Sequence, residues 1–249
     1  MVILKQPDEI AKARASNRIV AEVLSVLREK VKPGVTTLEL DQIAERTAEK
    51  RGARPAFKGY RGYPYALCAS VNEEVVHGMP SKRVLLEGDI IGLDFGVYYQ
   101  GFYGDSAITL PVGRVNAGAA RLMEVTEKSL YEAIRQTCAG NRLGDISAAV
   151  QTTVEAAGFS VVRDFVGHGI GRQMHEDPQI PNFGKKGRGI ELKAGMIFAI
   201  EPMVNEGDYR VKILADGWTV VTEDGSLSAH FEHSVAITDN GPEILSRLS

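Results

Sequence analysis

The sequence contains very few cysteines. Only Cys68 and Cys138 occur among 249 residues, and they do not form a Cys-x-x-Cys pair. This count argues against a disulfide framework and against a metal cluster held by thiolates. Because disulfides belong mainly to oxidising compartments, such low cysteine usage predicts a cytoplasmic protein in a reducing environment.

The sequence also lacks a long hydrophobic run and a strong excess of either charge. No apolar stretch approaches the roughly 18 residues of a membrane span, and the apolar start at residues 1–4 is too short for a signal peptide. The 29 Lys and Arg residues against 32 Asp and Glu residues leave a formal net charge of −3. We therefore expect no membrane attachment and no direct nucleic-acid partner.

The sequence does contain an ordered succession of helix and strand patterns. An amphipathic stretch begins at Pro7-Asp8-Glu9 and runs towards Lys30, and Thr36 with Glu39 forms a capping box before a second helix. Strand and turn patterns follow from about residue 64 to 112, and then two more helix patterns lead to a further strand. This order predicts an α+β fold.

The two parts of the chain match each other at a nearly constant offset. A shift of 106 aligns Gly34 with Gly140, and a shift of 107 aligns Asp94 with Glu201. We expect a single domain, residues 1–249, with an internal repeat of about 1–112 and 113–249. A pseudo-twofold relation between these halves would bring the two matched acids towards a common centre.

Two aspartates interrupt the apolar segment LDFGVYYQGFYGDSA. A two-residue turn at Tyr99-Gln100 would place Asp94 directly opposite Asp105 on one face, whereas a bulged turn that includes Gly101 would shift the register by one. Carboxylates about 4–5 Å apart repel by roughly 4 kcal/mol at an effective dielectric constant near 20. A shared proton or a metal ion would relieve this repulsion; the alternative is that one acid lies in solvent at a strand end.

Further acids and one histidine occur at the ends of other strand patterns. Oxygen-rich sites with a single nitrogen ligand suit Mn, Fe, Co or Zn. Four carboxylate charges are balanced by two divalent cations, and two metals bridged by carboxylates form a hydrolytic centre. The sequence therefore predicts a two-metal site formed by Asp94, Asp105, His168, Glu201 and Glu232.

These motifs resemble those of the type I methionine aminopeptidases. The matching segments are LDFG, YGDSA, GHGIGR, HEDP, IEPMV, DGWTV and SLSAHFEHSVAIT, and the resemblance covers nearly the whole chain. It implies the pita-bread fold, in which two pseudo-symmetric halves join antiparallel sheets flanked by helices. It also implies removal of the N-terminal methionine from nascent proteins and peptides, with a preference for a small second residue.

The resemblance also implies a role for each metal-site residue. Asp94 looks like a ligand of one metal and His168 of the other. Asp105 and Glu232 would bridge both metals, and Glu201 would be a ligand that also shuttles the proton during catalysis.

A substrate cleft follows from the same resemblance. His77 and His175 match catalytic positions that hydrogen-bond the substrate and the developing oxyanion. Phe57 and Met174 replace the cysteine and phenylalanine that are common in bacterial relatives, so the resemblance leaves the pocket shape open. The residues implied to bind the substrate are Tyr60, Tyr63, Cys68, His77, His175 and Trp218.

Three further expectations concern residues around this cleft. Asn72 and Ser228 match positions that hold a monovalent cation in relatives, so we expect such a site there. His233 follows the bridging acid and is expected to support the metal ligands. His230 is interpreted as a structural histidine.

Two other functions remain open at this point. A related peptidase of X-Pro bonds usually carries a large N-terminal domain, and a non-catalytic binding protein of this fold typically loses metal ligands. His168 and Glu201 are 33 residues apart, and Glu201 and Glu232 are 31 apart, which leaves no room for the helical insertion of the type II enzymes. No N-terminal zinc-finger extension is expected. We predict a monomer that acts on peptide or nascent-chain N-termini, with the ribosome as a further expected partner.

Overall fold

The computed structural model describes residues 2–248, and its helices agree with the sequence prediction. The helices are α1 (Pro7–Lys30), α2 (Thr37–Lys50), α3 (Ala117–Gln136) and α4 (Leu143–Ala156). The predicted capping box begins α2: the Glu39 N–H donates to Thr36 Oγ1 over 3.2 Å, and the Thr36 N–H donates to the Glu39 carboxylate over 2.8 Å. Within residues 2–248, no helix has the length and apolar character needed to cross a membrane.

The strands pair only in antiparallel fashion among the described residues, as the fold prediction requires. They form four hydrogen-bonded sheets, and a short 3₁₀ turn occupies Tyr60–Gly62. The strands are β1 (Arg54–Pro55), β2 (Leu67–Val71), β3 (Glu74–Val76), β4 (Ile90–Tyr99), β5 (Phe102–Pro111), β6 (Ser160–Val161), β7 (Gly167–Gly169), β8 (Glu176–Ile180), β9 (Ile197–Ile200), β10 (Met203–Asn205), β11 (Val211–Ile213), β12 (Val220–Thr222), β13 (Ser228–His230), β14 (His233–Thr238) and β15 (Gly241–Ile244). The sheet orders are β1-β4-β2 with β5 on β4, β13-β10-β6, β11-β12-β3 and β15-β14-β9-β7-β8.

Each helix pair buries the apolar surface of one group of strands. Val20 and Leu40, from α1 and α2, belong to a buried cluster with residues of β2, β4 and β5. Leu122 and Val150, from α3 and α4, belong to a second cluster with residues of β9, β10 and β14. Burial of apolar surface contributes about 25 cal/mol per Å². These two clusters therefore hold in place the strands that carry the predicted metal-site residues.

Hydrogen bonds join β5 to the segment that carries Glu232. The Glu232 N–H donates to the Ala107 carbonyl over 2.9 Å, and the Ser234 hydroxyl donates to the Asp105 carbonyl over 2.9 Å. The Ser106 hydroxyl donates to the Glu232 carbonyl over 2.6 Å. These bonds connect the strands of the early and late parts of the chain, as predicted for joined sheets.

The predicted register of the β4–β5 hairpin is wrong. Asp94 lies opposite Ala107, and Asp105 lies opposite Gly96. The loop is Gln100-Gly101, with φ angles of +49° and +86°. A two-residue turn of this kind needs positive φ at both positions, and glycine adopts that conformation most readily. The turn therefore lies one residue later than predicted, which moves every cross-strand pair by two residues.

Candidate metal centre and substrate pocket

Five polar side chains from distant parts of the chain meet at one cavity of about 160 Å³. One donor atom each of Asp105, His168 and Glu232 lies within 4.8 Å of the other two. Glu201 directly follows β9, and its Oε1 atom lies 3.6 Å from His168 Nε2. Asp94 is in the middle of β4 and lines the same cavity. The structure thus brings all five predicted ligand residues to one site.

The carboxyl groups of this site are buried together, and their pKa values rise. Burial and the neighbouring charge of Asp105 raise the pKa of Asp94 and of Glu201 well above the ordinary range. Burial likewise raises the pKa of Asp105 to about 7. Burial and then Asp105 raise the pKa of Glu232. Four acids in one buried site cannot all ionise cheaply unless a cation compensates their charges.

Several acceptor atoms at this site have no donor. Among residues 2–248, Asp94 Oδ1, Asp105 Oδ1 and Glu232 Oε1 are buried without a hydrogen-bond partner. A buried carboxylate oxygen without a partner is costly. A divalent metal would supply the missing positive partner for each of these oxygens, and carboxylate oxygens with one imidazole are a suitable donor set. The residues present therefore fit a divalent metal centre.

His168 is presented to the acids as a neutral imidazole. Burial, and then the charge of His175, lower the pKa of His168 to about 3. Its Nδ1 atom lies 2.9 Å from the Gly169 carbonyl, so Nδ1–H donates there and Nε2 keeps a free lone pair. Such a backbone partner is the usual way in which a metal-binding histidine is oriented.

Glycines on both sides of His168 allow β7 to lie between β8 and β9. A Cβ atom on Gly167 would lie 2.4 Å from the Ala199 carbonyl oxygen, and one on Gly169 would lie 2.2 Å from the Asp177 carbonyl oxygen. Real Cβ atoms do not approach other atoms so closely. The Gly-His-Gly motif is therefore a packing requirement of the strand that carries the histidine.

The predicted methionine-pocket residues line the same cavity as the acids. Tyr63 packs edge-on against Trp218 with ring centroids 5.1 Å apart, and the His77 and Trp218 rings are 6.3 Å apart. Burial raises the pKa of the Cys68 thiol well above its ordinary value, so the thiol stays protonated. Cys68 therefore contributes apolar wall and not a nucleophile.

His77 and His175 are held at the edge of the acid cluster. The His175 ring centroid is 4.3 Å from that of His168, and His175 Nδ1 lies 2.8 Å from the Tyr60 hydroxyl oxygen. Burial lowers the pKa of His77 to about 4 and also lowers the pKa of His175. Both imidazoles are thus neutral near pH 7 and each has one N–H to donate.

The two positions that depart from the bacterial pattern are neighbours in space. Both side chains pack over Gly96 of β4, where a Cβ atom would lie 2.9 Å from Phe57 Cε1 and 3.1 Å from Met174 Cε. Phe57 lines the cavity, and Met174 is buried. The two departures therefore form one continuous wall.

Sequence reasoning missed Arg61, which also lines the cavity. Its φ of +49° lies in the left-handed region, within a turn bounded by Gly59 and Gly62 at φ +85° and +91°. After burial, its charge is the second factor that lowers the pKa of His175. The two glycines indicate a tight turn in the sequence, but not the direction of the arginine.

The structure also brings together the residues expected near a monovalent cation. The Ser228 N–H donates to the Asn72 carbonyl over 2.9 Å, and Asn72 has a φ of +60°. The Asn72 amide donates to Asp89 Oδ1 over 2.8 Å. Asn72 is thus fixed between β2 and β3, next to the start of β13.

The histidines on either side of Glu232 differ in their surroundings. His233 Nδ1 lies 2.9 Å from the Ser246 hydroxyl oxygen. His230 Nε2 lies 3.7 Å from Glu201 Oε2, inside the acid cluster. The two imidazoles therefore have separate environments despite their closeness in sequence.

The fold and the buried acid centre define a metal-dependent hydrolase. The sequence model of metallopeptidase family M24 matches residues 11–239, and the chain belongs to that family.

Relatives from bacteria match over the whole chain. A methionine aminopeptidase of Clostridium perfringens is 56 % identical over 245 residues, which cover 98 % of both chains. Methionine aminopeptidase 1 of Bacillus subtilis is 54 % identical over 248 residues, which cover 100 % of both chains. The crystal structure of a methionine aminopeptidase from Thermotoga maritima has a TM-score of 0.98 at 51 % identity, over 100 % of both chains.

A more distant structure has the same fold. The Xaa-Pro dipeptidase from Bacillus anthracis has a TM-score of 0.78 at 20 % identity and is covered over 62 % of its length. This similarity concerns the fold alone.

Proposed function

We propose that this protein is a metal-dependent aminopeptidase that removes the N-terminal methionine from peptides and nascent proteins and prefers a small second residue. The observation that carries this proposal is a single cavity in which an aromatic pocket opens onto the buried acid cluster. Identities of 51–56 % to methionine aminopeptidases over 98–100 % of the chain support the same reaction.

The proposed cofactor is a pair of divalent ions of Co, Mn, Fe or Zn. The ions would be held by five residues of one cavity, in the roles that the resemblance implies: Asp94, Asp105, His168, Glu201 and Glu232. The raised pKa values of the four acids support this assignment, because two divalent ions balance four carboxylates. When bound, the metals lower the pKa of a water molecule and polarise the carbonyl of the scissile bond.

The protein side chains perform the remaining work. Glu201 is the proposed proton shuttle: its carboxylate receives the proton of the attacking water and passes it to the leaving amine. His175 donates a hydrogen bond to the developing oxyanion, oriented by the Tyr60 hydroxyl at 2.8 Å from Nδ1. His77, which lines the same cavity, donates a hydrogen bond to the substrate. Its position beside Trp218 supports this role.

The pocket favours a long, unbranched apolar side chain. Its walls are formed mainly by aromatic side chains, and the thioether sulfur of methionine packs favourably on aromatic rings. The wall residues are Tyr60, Tyr63, Cys68, His77 and Trp218. The Phe57–Met174 wall fills the space next to Gly96, which supports a narrow pocket.

The proposal also extends to the surroundings of the enzyme. It includes a monovalent cation near Asn72 and Ser228, a cytoplasmic location, and a monomer that meets nascent chains at the ribosome. The low cysteine content supports the compartment, and the contact between Asn72 and Ser228 supports the cation site.

We propose a single catalytic domain built from two related halves, about 1–112 and 113–249. The matched glycines support this division. Gly34 and Gly140 both have φ +91°. Gly88 and Gly195, which the shift of 107 also aligns, have φ +96° and +93°. Equivalent turns with equivalent backbone geometry are what an internal repeat would produce.

Hydrolysis of short peptides tests the proposed function. The metal-stripped protein is given Met-Ala-Ser, Ala-Ala-Ser or Ala-Pro-Ser, with and without added Co²⁺ or Mn²⁺. We expect metal-dependent release of methionine from the first peptide alone. Cleavage of the proline peptide alone would favour an X-Pro peptidase. No cleavage despite bound metal would favour a non-catalytic binding protein.

A further inference from the structure

His230 is a buried polar side chain that the proposed mechanism does not use. It is 4 % exposed, and its Nε2 atom has no hydrogen-bond partner among the described residues. The Glu201 carboxylate faces this atom, with Oε2 3.7 Å from His230 Nε2. This distance is too long for a hydrogen bond as it stands, but contacts of catalytic groups commonly shorten when the site engages its substrate.

The backbone of His230 is fixed from the strand that carries Asp105. The His230 N–H donates to Thr109 Oγ1 over 2.9 Å, and the Thr109 hydroxyl donates to the His230 carbonyl over 2.7 Å. Thr109 is itself buried in β5. On the other side, β13 pairs with β10, where His230 lies opposite Met203. These bonds fix the backbone of His230, and the burial of its side chain leaves the imidazole little room to turn away from the acid cluster.

The Glu201 carboxylate has a histidine on each side. His168 Nε2 lies 3.6 Å from Oε1, and His230 Nε2 lies 3.7 Å from Oε2. His168 keeps its Nε2 lone pair, because its proton is on Nδ1. With metal bound, Glu201 is an ionised carboxylate, and a second bare nitrogen beside its other oxygen would repel it. The Nε2–H form of His230 is therefore favoured in the metal-bound protein.

We propose that His230 is a positioning residue for Glu201, to which it donates a hydrogen bond from Nε2–H and whose carboxylate it holds in the orientation needed for proton transfer. This inference rests on the proposed role of Glu201 as proton shuttle. An Nε2–H donor on Oε2 prevents rotation of the carboxylate and leaves Oε1 on the side of His168. Removal of such a supporting partner typically costs about 10–100-fold in activity.

Substitutions at position 230 test this inference with a matched pair. Glutamine can place its amide N–H near the position of Nε2, whereas asparagine is too short and leucine has no donor. We expect His230→Gln to keep kcat for Met-Ala-Ser within about 3-fold, and His230→Asn and His230→Leu to lose about 10–100-fold in kcat with little change in KM. Metal content is measured for every variant and is expected to stay equal to that of the parent protein.

Spectra of the histidine ring nitrogens give a readout that does not depend on activity. The chain has five histidines, so the signals of His230 in ¹⁵N-labelled, Zn²⁺-loaded protein are assigned by comparison with His230→Gln. We expect the Nε2–H tautomer, with a chemical shift that changes in Glu201→Gln. An Nδ1–H tautomer would overturn the proposal, even if the parent protein released no methionine.

The kinetic outcomes separate this inference from the proposed function. Failure of the parent protein to release methionine with metal bound would refute the proposed function. Equal losses in His230→Gln and His230→Asn would refute the hydrogen bond, and a loss of metal that matches the loss of activity would assign His230 a structural role. Either of these two results would overturn the positioning role of His230.

Discussion

Asp94 and Asp105 lie on the same face of the β4–β5 hairpin, two residues away from direct opposition. Side chains on a strand alternate between faces, so a register change of two residues keeps both acids on the cavity side. Gly96 takes the place opposite Asp105, where a side chain would collide with Phe57. The hairpin thus brings two acids together and leaves room beside them for the pocket wall.

Removal of Asp94 is expected to abolish metal binding and activity together. The Asp94→Ala variant loses one carboxylate with a buried, unpartnered oxygen, and with it one charge that a metal would balance. We expect a loss of activity beyond the ~10–100-fold typical of an outer supporting partner. Metal content after dialysis and release of methionine are measured together, with the exposed Asp164→Ala as control. Retained metal in the inactive Asp94→Ala protein would contradict the ligand assignment.

Removal of the His175 imidazole is expected to lower kcat without removing metal. The His175→Ala variant loses the proposed oxyanion donor, which is worth about 10²–10³-fold in kcat. Tyr60→Phe keeps the imidazole and removes the hydroxyl 2.8 Å from Nδ1, so its loss is expected to be smaller, about 10-fold. Steady-state kinetics and metal analysis check both variants. If His175→Ala loses metal, then the proposed division of roles is incorrect.

Local interactions explain why much of the fold could be predicted. The α2 start is encoded by Thr36 and Glu39, two residues three positions apart that bond to each other without help from the rest of the chain. The five acid-site residues could be collected because each lies beside a recognisable strand motif. The pita-bread fold followed from the combination of those motifs, and the similar structures bear it out.

Features that depend on a single backbone angle or on distant contacts could not be predicted. The hairpin register depends on whether Tyr99 or Gly101 takes a central position of the turn. In the structure Gln100 and Gly101 have positive φ angles and form the turn. The approach of His230 to Glu201 brings the end of β13 to the residue that follows β9, and no local pattern encodes it. The contact of Phe57 with Met174 over Gly96 likewise appears only after folding.

The stability of the metal-stripped protein is expected to depend on Asp105 in a defined pH range. Burial raises the pKa of Asp105 from its ordinary value of 3.8 to about 7. Between these values the folded protein binds more protons than the unfolded chain, so the free energy of unfolding falls as pH rises from about 4 to about 7. Asparagine has no ionisable carboxyl group, so Asp105→Asn removes this loss of stability at higher pH. Three pKa units correspond to at most about 4 kcal/mol.

Urea unfolding in the presence of a chelator measures this dependence. We expect metal-free Asp105→Asn to be more stable than metal-free parent protein at about pH 8, and the difference to vanish near pH 4. Added metal should stabilise the parent protein at pH 8, because the ion binds only the folded site. If the free energies of unfolding of the two proteins differ by the same amount at every pH, ionisation of Asp105 is not the cause of the difference.

A methyl group on Gly104 is expected to disturb the packing of α1 against β5. A Cβ atom there would lie 2.7 Å from Asn17 N and 2.8 Å from Ser16 C, both of which are backbone atoms of α1. Ser16 and Asn17 also bond to the β5 strand: the Ser16 hydroxyl donates to the Phe102 carbonyl over 3.1 Å, and Asn17 Oδ1 accepts from the Asp105 N–H over 3.2 Å. Gly104→Ala therefore forces the helix away from the strand that carries Asp105.

We expect Gly104→Ala to lower the free energy of unfolding by about 1–3 kcal/mol, as for other overpacked positions. Gly92→Ala is the matched control, because its Cβ atom would lie no closer than 3.7 Å to any neighbour and its change is expected within about 0.5 kcal/mol. Urea unfolding of both metal-free variants compares them directly. Metal affinity should fall in Gly104→Ala, because the clash with α1 displaces the strand that carries Asp105. It should stay unchanged in Gly92→Ala, which leaves β4 and Asp94 in place. Equal stability of the two variants would show that α1 can move without cost, and the packing argument would then fail.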